Sequence, residues 1–388
     1  MFLLPETQFG LNFLNTLPCH NESLVFSPIS IALVLSLLHS GSRGKTRAQI
    51  GDALLEGASD AQFLNHFSSA NEEILSGKNT LIQYSVWEPT KKNYMNHVLK
   101  EKLVGVEVNL ANRIYLKEGI SINPSYLTNI QQYYKADAKN LPSSTVDAVQ
   151  EINNFVNEST NGNIENIATV NLVEHSIVLL INAIYFKGDW KNKFERTYVR
   201  AGDFTTFNGE VTSKRFMIDF AFDDDYSSDD TFEVVYLKYF DERFELAIFL
   251  PKQRNTLKNA LGKLDAKTFQ NLMTNRTKKL LNIQIPKFKI ETSVSSLITN
   301  LKTLGVTKVF SESADLSAIA ENISVTDGLH KAMIEVDEDG TKAAAVTMVM
   351  LDESTGGELD PTYFIADHPF LFALTFENHP LFLGVLNK

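Results

Sequence analysis

Glu335–Thr355, EVDEDGTKAAAVTMVMLDEST, carries two local signals that point in different directions. From Thr341 onward every second residue is small or apolar: Thr341, Ala343, Ala345, Thr347, Val349, Leu351. That period of two is the pattern of a strand with one face buried. The segment then runs into Asp352, Glu353, Ser354, Thr355, Gly356 and Gly357, which is turn or exposed-loop chemistry. A strand in waiting fits this combination. A helix capped at Thr341 and running through the alanines fits these residues equally well.

The flanking sequence decides between the two. Gly340-Thr341 before an alanine run, preceded by His330-Lys331-Ala332 and by Glu335 to Glu338, resembles the proximal hinge of the serpin family. Further on, Phe364-Ile-Ala-Asp-His-Pro-Phe-Leu-Phe-Ala-Leu374 resembles that family's C-terminal signature at every position. Both motifs stand in the family's order, and the likeness is to serpins of the intracellular or invertebrate type. It implies an α+β serpin fold: three β-sheets, about nine helices and an exposed reactive-centre loop at about 338–362.

Composition sets wider bounds. The 388 residues are 44% hydrophobic and 21% charged, enough for a sizeable core, and no Pro/Gly/Ser-rich linker or fixed-period repeat divides them. A single serpin domain over 1–388 is expected. The net charge of −11 argues against binding a phosphate backbone, which needs a basic face. Cys19 is the one cysteine, so no intramolecular disulfide forms, which fits a reducing compartment. Met1-Phe2-Leu3-Leu4 is cut off by Pro5-Glu6 and lacks a basic head, so no signal peptide is expected. A cytoplasmic location follows, with an extracellular one as the alternative. The apolar runs are too short to span a bilayer.

In chain order, Phe9, Leu11, Phe13, Leu14 and Leu17 predict a helix within 6–18, and Ser27 to Gly41 reads as a capped helix with Pro28 in its first turn. Gly44-Lys45-Thr46 mimics the end of a phosphate-binding loop, but the pattern needs a glycine where His39 sits and a strand before it. Residues 81–102, with Lys91, Lys92, Lys100 and Lys102, are expected to be a helix whose charges form a solvated face. Ala111 to Tyr115 begins a strand, and Val146 to Ile167 reads as an amphipathic helix ending at Thr160-Asn161-Gly162. Val178 to Trp190 is an almost unbroken apolar strand, as for one covered on both faces, with Asn182 inside it as a hydrogen-bonded core residue. Asp223 to Asp230 lacks the spacing of a calcium loop and reads as a solvated turn. Phe244–Pro251 and Ile283–Glu291 are further strands.

No HExxH, paired Cys/His spacing or Gly-x-Ser-x-Gly elbow is present, so a non-enzyme with no metal or cofactor is expected. The resemblance implies suicide inhibition. A serine protease attacks the loop and forms an acyl-enzyme; Thr341 to Leu351 then inserts into the central sheet and carries the protease along. The family's hinge maps to Glu338, Gly340, Thr341, Ala343, Ala344, Ala345 and Thr347; Lys342 and Val346 depart from the usual Glu and Ala and are expected to face outward. Ser27, Ser30, Asn182, Trp190, Lys287 and His330 map to the positions that bridge the strands that part and the point where the loop first enters.

The family register counted from Glu338 places the cleaved bond between Ser354 and Thr355, with Met350, Leu351, Asp352 and Glu353 as alternatives. No Lys or Arg lies between Ala343 and Asn387, which argues against a trypsin-like protease needing a cation in its pocket. Ser354 suits an elastase-like enzyme, Met350 or Leu351 a chymotrypsin-like one, and Asp352 or Glu353 an acid-preferring granzyme-type one. A papain-type cysteine protease, or a non-inhibitory role as carrier or chaperone, is the alternative. A monomer is expected, without nucleic acid, membrane or glycosaminoglycan as partner.

Overall fold

The computed structural model describes residues 2–19, 21–76, 82–90, 93–340 and 361–388, with the backbone alone given at 74–104 and 221–223 wherever these ranges include them. Its centre is a five-stranded sheet in the order Phe288–Val294, Asp327–Val336, Val178–Gly188, Val106–Leu116, Asp137–Asn140. Val178–Gly188 lies antiparallel to Val106–Leu116 but parallel to Asp327–Val336.

Both faces of this sheet are covered, which is why its middle strand reads as a continuous apolar run. Leu179, Ile181, Ala183 and Tyr185 point to one side, where they join Ala148, Ile152 and Val156 of the helix Thr145–Ser159. Those three recur at four-residue spacing on one helix face. Ser144 caps the helix by accepting from the Asp147 N–H at 3.3 Å, and Asn161 (φ 52°) and Gly162 (φ 77°) turn the chain away at its end. Val178, Leu180, Ile184 and Phe186 point the other way, into the main core that contains the helix Pro28–Gly41.

A nine-stranded sheet forms the rest of the scaffold, and Val211–Ser228 is long enough to pair with Arg200–Thr205, Phe232–Lys238 and Thr277–Pro286. The C-terminal signature supplies two of its strands, Thr362–Ile365 at one edge and Phe370–Phe376 in its middle. Between them, the His368 Nε2–H donates to the Pro251 carbonyl at 2.9 Å and Arg254 pairs with Asp367.

Among the described residues ten α-helices are present, and none is long and apolar enough to cross a membrane. The first spans Leu3–Leu14, and Pro28–Gly41 starts where expected, the Ser27 hydroxyl accepting from the Ser30 N–H at 3.2 Å. Gly41 closes that helix for a packing reason: a Cβ there would come within 2.6 Å of the Ile319 side chain.

Several local expectations are corrected. Where a helix was expected, Ile82–Thr90 and Asn93–Val104 form an antiparallel strand pair. Ile82, Tyr84 and Val86 alternate with polar residues, a strand period that the lysines obscured. Lys91 and Lys92 lie outside the described residues. The strand expected to begin at Ala111 begins at Val106. Residues 223–228 belong to the long strand, not to a turn, because Asp225 is neutralised by Lys278 at 3.0 Å, Lys238 at 3.5 Å and Arg276 at 3.7 Å. Ile283–Glu291 divides at Lys287 into strands of two different sheets. The Gly44-Lys45-Thr46 mimic opens a helix with Lys45 exposed and Thr46 buried, its hydroxyl accepting from the Asp315 N–H at 2.9 Å.

Candidate functional site

Two clusters occupy the parallel strand pair, one at mid-height and one at its upper end. At mid-height Asn182 faces the N-terminus of the helix Pro28–Gly41 and stands in register between Asn112 and His330. The Ser27 N–H donates to His330 Nε2 at 3.0 Å, so that nitrogen is unprotonated and the ring proton sits on Nδ1, against Asn182 Oδ1. The Asn182 amide in turn shares its protons among Ser30 Oγ (2.6 Å), the Ser30 carbonyl (2.9 Å) and Asn112 Oδ1. Ser27, Ser30, Asn182 and His330 are all 0% exposed. Burial pushes His330 down to about 3, which keeps the imidazole neutral. This single polar node ties three strands to one helix end inside an otherwise apolar core.

At the upper end the parallel pairing stops at Met333 and Tyr185, although Val336 is still paired with Phe288. The chain then turns through Asp337–Gly340 over Trp190. The Trp190 Nε1–H donates to the Asp337 carbonyl at 2.8 Å, the Phe194 N–H to the Glu338 carbonyl at 3.1 Å and the Trp190 N–H to the Asp339 carbonyl at 3.4 Å. Trp190 stacks on Tyr239 with centroids 4.3 Å apart. Lys287, the residue between the two sheets, pairs with Glu338, and Arg196 pairs with Asp339. Burial raises the Glu338 carboxyl, but the hydrogen bond from Lys287 overrides it and holds the group below its ordinary value. Gly340 has φ +82°, and a Cβ there would meet the Gly188 carbonyl oxygen at 2.6 Å.

The structure thus brings Ser27, Ser30, Asn182 and His330 together, and separately Trp190, Lys287, Glu338 and Gly340. Thr341, Ala343, Ala344, Ala345 and Thr347, together with Met350, Leu351, Asp352, Glu353, Ser354 and Thr355, lie outside the described residues. Asn112, Arg196, Asp337 and Asp339 belong to the two clusters without having been singled out. Asn112 had one usable signal, a polar side chain inside a run later paired with another polar position. The other three act through backbone carbonyls or loop ion pairs and left none.

The model of the family Serpin (serine protease inhibitor) matches residues 5–388, and the chain belongs to that family. Iripin-2 from Ixodes ricinus is 31% identical, with 99% of this chain and 92% of that protein covered. Leukocyte elastase inhibitor from Xenopus laevis is 30% identical over 91% of this chain and 89% of its own length. AtSerpin1 from Arabidopsis, solved in a native stressed conformation, superposes with a TM-score of 0.82 at 26% identity, covering 100% of this chain and 97% of the other. The serpin fold and a protease-inhibitor family are therefore shown, and serpins act on proteases rather than as catalysts themselves.

Proposed function

We propose that this chain is a suicide-substrate inhibitor of serine proteases, working as one unit over 1–388 with its reactive-centre loop at about 338–362. The observation that carries the reading is the direction of two neighbouring strands. Val178–Gly188 and Asp327–Val336 are parallel, and the chain leaves the second of them at its upper end, over Trp190. A segment turning back from Gly340 and entering between them would run antiparallel to both. One parallel ladder would be exchanged for two antiparallel ones, the better-bonded arrangement. Thr341 to Leu351 counts eleven residues, the length of the 11-residue strand Val178–Gly188 beside which it would lie. The Asn182 node at mid-height is the bond set that must open, and the Trp190 cluster is the entry point.

Cleavage between Ser354 and Thr355 would free the segment while the acyl-enzyme holds the protease to it. Absence of Lys and Arg from Ala343 to Asn387 favours an elastase- or chymotrypsin-like target over a trypsin-like one. The test is incubation with pancreatic elastase, chymotrypsin, an acid-preferring granzyme and papain. A complex stable on a denaturing gel is expected, with a released C-terminal peptide whose mass locates the bond. The nicked protein should also melt well above the intact one. A nicked form that melts no higher, with no complex from any enzyme, would leave only a carrier-like serpin scaffold.

A further inference from the structure

A cleft that shares no residue with the Asn182 node or the Trp190 cluster opens between the first helix, the helix Asp60–Ser76 and the turn joining Phe370–Phe376 to His379–Leu386. Its volume is about 380 Å³, within the range of about 300–1,000 Å³ common to small-molecule sites. The helix Asp60–Ser76 turns Phe63 and Phe67 into the core, and a neighbouring stripe of Gln62, Asn65, His66, Ser69 and Glu73, spaced by threes and fours, lines the cleft. Such a polar stripe ordinarily faces bulk water; here Phe2, Phe376 and Leu381 belong to the same lining. Glu6 is its buried carboxylate, with a side chain 7% exposed. One Glu6 oxygen pairs with His379 Nδ1, while Oε1 lies 2.9 Å from His66 Nε2 without a directed hydrogen bond. That oxygen is an acceptor with room for a better donor.

We infer that this cleft binds a small protonated amine with an aromatic or apolar body. The charge of the lining selects the sign: among the described residues it holds the carboxylates of Glu6 and Glu73 and neither Lys nor Arg. Arg243 stands over the Phe376 ring at 5.4 Å, but Asp241 holds its guanidinium at 2.7 Å. An ammonium group only donates, which suits Glu6 Oε1, and an aromatic face attracts a cation. The body would lie against Phe2, Phe376 and Leu381, with Gln62, Asn65 and Ser69 offering hydrogen bonds from the facing helix. An acid of the same shape would meet two carboxylates and be rejected. The inference does not rest on the inhibitory reading, because neither cluster of the parallel strand pair takes part.

The experiment is calorimetric titration of the full chain at neutral pH with tryptamine and 2-phenylethylamine. Tryptophol and indole-3-propionate serve as the neutral and anionic analogues. The expected result is saturable binding of an amine at one site, at least tenfold tighter than either analogue. Ser69→Trp, at an exposed position, fills the cleft and should weaken the amine at least tenfold at unchanged melting. Glu6→Gln should remove the preference for tryptamine over tryptophol, and Glu73→Gln should reduce it without touching the buried pair. Saturable binding of neither amine overturns the inference, as do analogues bound as tightly as the amine. Amine binding that Ser69→Trp leaves intact lies elsewhere and overturns it too. Zinc chloride that binds where neither amine does, and no longer binds in His66→Ala, would make the cleft a metal site instead.

Discussion

His330 Nδ1 and Asn182 Oδ1 face each other across the register of two parallel strands, with the Ser27 N–H fixing the opposite nitrogen of the ring. The imidazole is therefore held neutral with one defined tautomer, and its lowered pKa, about 3, makes it a proton acceptor in the unfolded chain only. The sign follows directly. Above the unfolded value of about 6.5 neither state binds the proton, and below it the unfolded state alone does, so stability falls as pH drops from 6.5 toward 3. His330 is expected to contribute a slope of about 1.4 kcal/mol per pH unit below pH 6. Urea midpoints at pH 6.0, 5.5 and 5.0 should show that slope in the parent and less of it in His330→Gln. An imidazole resonance of His330 titrating near 6.5 by NMR would refute the account independently of the variant's stability.

A second titrating pair ties the two ends of the chain, and its histidine, His379, works in the opposite sense to His330. Glu6 takes hydrogen bonds or ion pairs from His66 (2.9 Å) and His379. Burial alone would raise Glu6, but its imidazole partners bring it below the ordinary 4.5. Burial alone would lower His379, yet Glu6 holds it above the ordinary 6.5. The Glu6 contribution is present above 4.5 and lost as pH falls through its lowered value; the His379 contribution is present below 6.5 and lost as pH rises through its raised value. The pair is complete between those limits. Glu6→Gln should cost about 1 kcal/mol at pH 5.5, a figure kept small because His379 is 38% exposed, and clearly less at pH 8.5. An equal cost at both pH values would mean that the effect is packing rather than charge.

Gly340 tests whether the turn above Trp190 is built on backbone freedom. Any Cβ at φ +82° is strained, and here it also meets backbone atoms of Gly188 to Trp190, which cannot rotate away. Gly340→Ala is expected to lower stability by about 2 kcal/mol, read as a shift in the thermal or urea midpoint. Asp339, its neighbour, pairs with an Arg196 that is 69% exposed, so solvent screens the pair and Asp339→Ala should cost less than Gly340→Ala. A Gly340→Ala protein as stable as the parent would show that the turn relaxes.

Legibility in the sequence followed the range of the interactions. Val178–Gly188 was readable because its burial on both faces leaves no polar alternation, and Ser27 with Pro28 marked a helix start through chemistry confined to one turn. The family motifs then placed Asn182 beside His330 across 148 positions, a pairing that no local pattern contains. What failed was local reading of charge. Lysines near 91–102 suggested a helix face where the backbone forms strands, and the Asp223–Asp230 run suggested a turn because Lys278, Lys238 and Arg276 arrive from other strands. Charge runs reveal structure only when their partners are known. The helix reading of the alanines after Thr341 stays untested by geometry, since they lie outside the described residues.

Loop insertion makes its own demand on side chains, and Thr341 is where it is sharpest. The proposed path enters beside Trp190 and passes between two strands buried on both faces, one 0% exposed from Leu179 to Ile184 and the other no more than 8% exposed from Leu329 to Ile334. Thr341, the first residue after the Gly340 turn, must be buried before any later residue can follow. Thr341→Arg would place an unpaired cation in that path, a cost of several kcal/mol at the entry step. The loop would still be cut, because the proposed bond lies thirteen residues further on, but deacylation would outrun insertion. The expected outcome is a protein that folds and melts like its parent yet is consumed as a substrate, with covalent-complex yield falling at least tenfold on a denaturing gel. Thr341→Ser, small and uncharged, should keep the parent's yield. Full yield from Thr341→Arg would mean that trapping does not require this segment to enter the sheet, and the parallel strand pair would lose its proposed role.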